Sequence, residues 1–285
     1  MKNGILCLIF LFSLFSINCS GQRLKKTTVQ YKKETGIKSK KLSLDIYNAD
    51  PGKIKPVVVF VHGGGWLLGD KATKIKKKVK LFNTAGYVFV SVNYRLSSFF
   101  NKKTQYPAHT NDVADAIKWV FDHIGKYGGD NNKIALLGHS AGAQMIALLA
   151  TSPEFLPARG LKATDIKGVI SADTEGYDVQ EMGNAGAKIY QRVFGEDPEV
   201  WKNASPIEHV RPGSEYPPFL IVMRGKPYRI DMANRFADKL RAAGAGVKLI
   251  SGEPYSHFKV NNMIGSKKDT IVTPEIVSFL KGLFR

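Results

Sequence analysis

Lys133-Ile134-Ala135-Leu136-Leu137-Gly138-His139-Ser140-Ala141-Gly142, followed by Ala143 to Ala150, is the stretch that decides the fold. Ile134 to Leu137 is a short, wholly apolar run, the length of a strand buried on both faces. Ala141 to Ala150 is small and apolar and long enough for a helix. Between them stands Gly138-His139-Ser140-Ala141-Gly142, a Gly-x-Ser-x-Gly pentapeptide. A serine on so tight a strand-to-helix turn has its hydroxyl raised above the sheet edge, and side chains two residues to either side would collide, so both are glycine. The N–H of Ala141 then opens the helix and points at a developing oxyanion. A plain turn serine would need neither the strand before nor the helix after.

Working outward, the same alternation continues. Pro56 to Val61 and Tyr87 to Val92 are further buried-strand runs, and Asn111 to Ile124 has apolar residues at helical spacing. Ile166 to Ser171, Phe219 to Met223 and Val247 to Ile250 read as strands, Asp231 to Ala243 and Pro274 to Leu283 as helices, and 179–217 as helix and loop. Residues 27–50 read as a hairpin. Strands alternating with helices predict an α/β fold: one domain with a mainly parallel central sheet, helices on both faces and no large N-terminal cap. Its divisions are a leader at 1–22, the hairpin segment at 23–55 and the α/β body at 56–285.

Two more stretches lie at predicted strand ends. His62-Gly63-Gly64-Gly65-Trp66 follows the run ending at Val61. Three glycines let the backbone approach a bound group, with Gly64 and Gly65 as the expected N–H donors. His62 reads as a hydrogen-bond anchor, and Trp66 as either a wall of the substrate pocket or core. His257, in a polar loop after the last strand, is the expected base, because a serine hydroxyl needs an imidazole within hydrogen-bond reach. His139 is expected beside the elbow, at the pocket. His109, His123 and His209 fall on or beside helices and read as structural. No spacing of His, Asp or Glu suggests a metal site.

Composition narrows the classes further. The chain has 285 residues, 44% apolar and 23% charged, which suits a packed core. Its two cysteines, Cys7 and Cys19, both precede the folded body, so that body has no thiolate nucleophile and no internal disulfide. The net charge of +18 raises an anionic partner, but the lysines are scattered and no nucleic-acid module appears. Met1-Lys2-Asn3 followed by the apolar Ile5 to Ile17 has the pattern of an export signal, too short to span a membrane. Two processing routes fit: cleavage near Ser20 to Gln22, or lipidation of Cys19, since Ser16-Ile17-Asn18-Cys19 loosely resembles a lipobox. The expected location is therefore periplasmic, secreted or outer-membrane.

Taken together, His62 to Trp66, Val92-Asn93-Tyr94-Arg95-Leu96, Tyr106-Pro107-Ala108 with Asp112, Trp119-Val120, Tyr127-Gly128-Gly129-Asp130, Gly138 to Gly142 and the loop around His257 resemble one family. It is the α/β-hydrolase group of hormone-sensitive-lipase-like and feruloyl-esterase-like serine esterases. The resemblance implies no cofactor and assigns Ser140 as nucleophile, His257 as base, and Gly64, Gly65 and Ala141 as the oxyanion hole. The implied substrate is a small or polysaccharide-linked ester, with acetyl or feruloyl groups as examples. An amide or formamide hydrolase of the same fold is the alternative reaction. The family places its acid in the loop after the strand at 219–223, yet here Tyr228 stands about where the Asp is expected. Asp231, in that loop or as a helix N-cap, and Asp173, after the strand at 166–171, remain open as the acid, with Asp178 read as equally structural. If neither serves, the chain is a catalytically weak binding module.

Overall fold

The computed structural model describes residues 24–48 and 50–285. The leader and Cys19 lie outside the described residues. Eight strands form one sheet in the order β1-β2-β4-β3-β5-β6-β7-β8. They are β1 (Lys25–Gln30), β2 (Ser43–Asn48), β3 (Lys55–Val61), β4 (Val88–Val92), β5 (Gly129–His139), β6 (Ile166–Ala172), β7 (Phe219–Met223) and β8 (Val247–Ser251). β1 and β2 pair antiparallel, as does β2 with β4. Every other pairing is parallel.

The central strands are apolar on both sides, and alternation divides their side chains between two cores. Val57, Val59 and Val61 face one layer with α2 (Ala108–His123), α3 (Ala141–Thr151) and α7 (Pro227–Ala242). Val58 and Phe60 face the other with α1 (Lys76–Thr84), α8 (His257–Met263) and α9 (Val272–Leu283). Three short helices, α4 (Val179–Asn184), α5 (Lys188–Phe194) and α6 (Pro198–Asn203), fill the long connection between β6 and β7. No described helix is long and apolar enough to cross a membrane.

The structure differs from the expectation in three places that matter. Helix α1 was not evident, because four of its nine residues are lysines and one of them, Lys78, occupies a buried position. The helix expected from Asp231 begins at Pro227, which puts Asp231 inside its second turn. His257 is not in a loop but is the first residue of α8, with Ser256 as its N-cap.

Candidate active site

The parallel registers bring the strand ends level. Val61 of β3 pairs with Gly138 of β5, His139 with Ala172 of β6, and Ala172 with Val222 of β7. In open α/β sheets the crevice beyond the carboxyl ends of the strands is where ligands bind. Here it receives the 62–69 loop from β3, Ser140 from β5, Asp173 from β6 and His257 from just beyond β8.

Ser140 sits at φ 55°, ψ −123°, a strained conformation for a residue with a side chain. Flanking glycines make it feasible. A Cβ on Gly138 would meet the Gly142 carbonyl oxygen at 2.5 Å, and one on Gly142 would strike the Val61 carbonyl. The turn is fastened to the sheet by the Ser140 N–H, which donates to the Ala172 carbonyl at 3.0 Å.

Three side chains then meet in a line. His257 Nε2 lies 3.0 Å from Ser140 Oγ, and His257 Nδ1 lies 2.8 Å from Asp173 Oδ2. Asp173 is buried. Burial alone would raise its carboxyl, but the hydrogen bonds and charges of His257 and Arg229 prevail and hold it down at about 2. It is therefore an anion at neutral pH, suited to orient the imidazole and to balance an imidazolium.

Of the two aspartates left open by the sequence, the structure brings only Asp173 to His257. Asp231 is exposed and pairs with Arg235 one turn along α7 at 2.8 Å, a helix-surface ion pair. It is not the N-cap either, which is Lys226. Asp178 caps α4 by accepting from the Glu181 N–H at 2.8 Å. Tyr228 donates its hydroxyl to Glu175 Oε2 at 3.0 Å.

The glycine loop lies against the elbow. A Cβ on Gly63 would come within 2.9 Å of the Ser140 Cβ and 2.6 Å of the His139 carbonyl oxygen. The carbonyl of Gly64 accepts from the N–H groups of Leu67 and Leu68, at 3.1 and 2.9 Å, which closes the loop into a tight turn. The N–H groups of Gly64 and Gly65 have no backbone acceptor among the described residues. His62 stacks on Tyr94 with ring centroids 4.4 Å apart, while the Tyr94 hydroxyl donates to the His62 carbonyl at 2.9 Å. Its own Nδ1 meets the Gly63 carbonyl at 2.8 Å, an anchor for the loop.

Trp66 is not a pocket wall. It is 4% exposed, stands edge-on to Tyr190 and Phe194, and donates its indole N–H to Gln144 Oε1 at 3.2 Å. It packs behind the loop and fixes it to α3 and α5. His139 does lie at the cleft, with its ring 4.6 Å from that of His257. Burial drives His139 down to about 3, so it is neutral, and its Nε2–H donates to the His257 carbonyl at 2.9 Å. The donor atoms of His139, Asp173 and His257 lie within 4.8 Å of one another, a spacing a metal ion would accept. Hydrogen bonds already occupy both His257 nitrogens and both Asp173 oxygens, an arrangement suited to passing a proton.

The cleft above these groups has a volume of about 640 Å³. Leu68, Phe99, Ile189 and Phe258 line it and remain exposed, beside the polar Lys74, Asn261 and Asn262. None of these walls was singled out from sequence. Nor were Arg224, Arg229 and Glu175, which surround Asp173, although both arginines stand in the very segment searched for the acid.

The family model described as BD-FAE matches residues 44–227, more than half of the chain. The chain belongs to the BD-FAE family. The esterase LipQ of Mycobacterium tuberculosis is 30% identical over 246 residues, covering 81% of this chain and 56% of LipQ. The esterase LipC of the same organism is 32% identical over 206 residues, covering 67% of this chain and 50% of LipC. This BD-FAE chain thus spans about half the length of the curated relatives it matches. Among solved structures, the hyperthermophilic esterase of the archaeon Pyrobaculum calidifontis is 26% identical with a TM-score of 0.69, covering 91% of this chain and 84% of that one. Esterase B from Lactobacillus rhamnosis has a TM-score of 0.73 at 18% identity, covering 92% and 86%, a likeness of fold. The fold of this family member is that of an α/β-hydrolase.

Proposed function

We propose that this BD-FAE family member is a carboxylic-ester hydrolase acting through Ser140, His257 and Asp173. The observation that carries this reading is one imidazole bridging the elbow serine and a buried carboxylate, at 3.0 and 2.8 Å.

The chemistry follows from the geometry. Ser140 Oγ attacks the ester carbonyl carbon while its proton passes to His257 Nε2. The carbonyl electron pair moves onto oxygen, and the N–H groups of Gly64, Gly65 and Ala141 receive that oxyanion. As the tetrahedral species collapses, the leaving alkoxide takes the proton from Nε2. Water then attacks the acyl-enzyme by the same route, returning the serine and releasing the carboxylic acid. Asp173 accepts from Nδ1–H throughout, which fixes the tautomer that leaves Nε2 free to act as a base.

An amide hydrolase would use the same groups, and the names of the relatives support the ester. The binding-module alternative rested on a missing acid, and the contact of Asp173 with His257 at 2.8 Å supports the enzyme instead. For the substrate we favour an exported protein acting on an extracellular ester, with acetyl or feruloyl groups on polysaccharide as the leading examples. The export-signal pattern in residues 1–22 and the open, aromatic-edged cleft support this, and Cys19 offers a lipid anchor. The test is hydrolysis of nitrophenyl acetate, nitrophenyl butyrate and methyl ferulate by the purified protein. Turnover of at least one, lost in Ser140→Ala, is expected. Absence of turnover on every ester, with the protein folded, would contradict the reading.

A further inference from the structure

Asp173, the acid of the triad read above, is gripped by more than its histidine. Arg229 Nη2 donates to Asp173 Oδ1 at 2.7 Å, and Arg224 Nη1 donates to Oδ2 at 3.3 Å, the oxygen that also accepts from His257. Both arginines come from the segment after β7, the place from which the family resemblance would have drawn the acid itself. We propose that Arg229 is a positioning residue, supported by Arg224, that holds the Asp173 carboxylate in line with His257. The proposal rests on the triad reading.

Three observations support it. First, Asp173 sits at φ 50°, where a residue with a side chain is disfavoured by about 1 kcal/mol, so its own backbone preference does not keep it there. Second, among the described residues Arg229 is the only hydrogen-bond donor to Oδ1. Removing it leaves a buried carboxylate oxygen without a partner and the carboxylate held through Oδ2 alone, by His257 and the longer Arg224 bond. Third, each guanidinium has a second carboxylate. Arg229 pairs with Glu175, and Arg224 lies 3.8 Å from Glu253. Three carboxylates against two guanidiniums leave one net negative charge, the same charge a lone aspartate would present to an imidazolium. The clamp thus orients the acid without cancelling it. The planar fork of arginine suits this bridging between two carboxylates, which a lysine ammonium cannot reproduce. It also gives Tyr228 a place: its hydroxyl fastens Glu175, the counter-charge of the clamp.

The experiment is a double-mutant cycle on nitrophenyl acetate, with kcat and KM measured for the wild type, Arg229→Gln, Asp173→Asn and the double variant, and thermal unfolding recorded for each. Arg229→Gln is expected to lower kcat about tenfold or more with KM nearly unchanged. In the Asp173→Asn background the same change is expected to alter kcat by less than about twofold, because its effect passes through the missing carboxylate. Equal losses in both backgrounds, or an effect on KM alone, would overturn the proposal. Should Arg229→Gln fail to fold, Arg229→Lys replaces it in the cycle, with an intermediate loss of kcat that again disappears without Asp173. If Asp173→Asn itself leaves kcat intact, the triad reading fails as well; a large loss there with Arg229→Gln unaffected overturns this proposal alone.

Discussion

Ser140 and Asp173 stand one strand apart on the same edge of the sheet, each held by the neighbouring strand. The Ser140 N–H donates to the carbonyl of Ala172, the residue just before Asp173, at 3.0 Å, and the Asp173 N–H donates to the Val222 carbonyl at 2.8 Å. Both residues have positive φ, 55° and 50°. The backbones of the nucleophile and the acid are therefore set by one continuous ladder, and His257 arrives between their side chains.

That relationship separates the two aspartates. Asp173→Asn is expected to lower kcat about a thousandfold or more, since an asparagine carries no charge to balance the imidazolium and disturbs the tautomer. Asp231→Asn loses only a surface ion pair with Arg235, worth about 0.5 kcal/mol or less, and its kcat is expected to stay within about twofold of wild type. Side-by-side ester assays decide, and the opposite ranking would move the acid into α7.

Local residue types are more legible in the sequence than the neighbours a strand acquires in the sheet. The elbow, the glycine loop and His257 were legible because each depends on local residue types. The acid was not, because choosing Asp173 over Asp231 requires knowing that β6 lies beside β5, which no local pattern reports. Helix α1 was hidden for a related reason. Its apolar stripe of Ile75, Val79 and Phe82 is completed by Lys78, a buried residue of the wrong type. Trp66 lies next to a functional loop yet serves the core, and its neighbours Tyr190 and Phe194 lie more than a hundred residues downstream, as the numbering shows.

Lys78 makes its own prediction. The residue is 1% exposed, and its amine donates to the Asn261 carbonyl at 2.7 Å and lies 5.1 Å from the centre of the Phe60 ring. Burial pushes it from its ordinary 10.5 down to about 7. Between those two values the unfolded chain binds a proton that the folded chain does not, so stability rises with pH across that window, and the full cost is present below it. Lys78→Met is therefore expected to stabilise the protein at pH 6, on the order of 1–4 kcal/mol, with the gain shrinking as pH approaches 10. Urea melts at a series of pH values measure it. A gain independent of pH would mean that the ammonium is not penalised.

Trp66→Ala is expected to destabilise the fold by about 3–5 kcal/mol, because it empties the space between the glycine loop and α5 and leaves Gln144 without its indole donor. Thermal or urea unfolding reads this directly. A variant as stable as wild type, with only its ester preference altered, would return Trp66 to the substrate pocket.

The most direct test of the central claim is covalent labelling by a fluorophosphonate, followed by mapping of the labelled peptide and assay of nitrophenyl acetate turnover. The account predicts a single label on Ser140, with labelling and turnover both lost in Ser140→Ala and both strongly reduced in His257→Ala. A label on another residue, or ester turnover that survives Ser140→Ala, would contradict it.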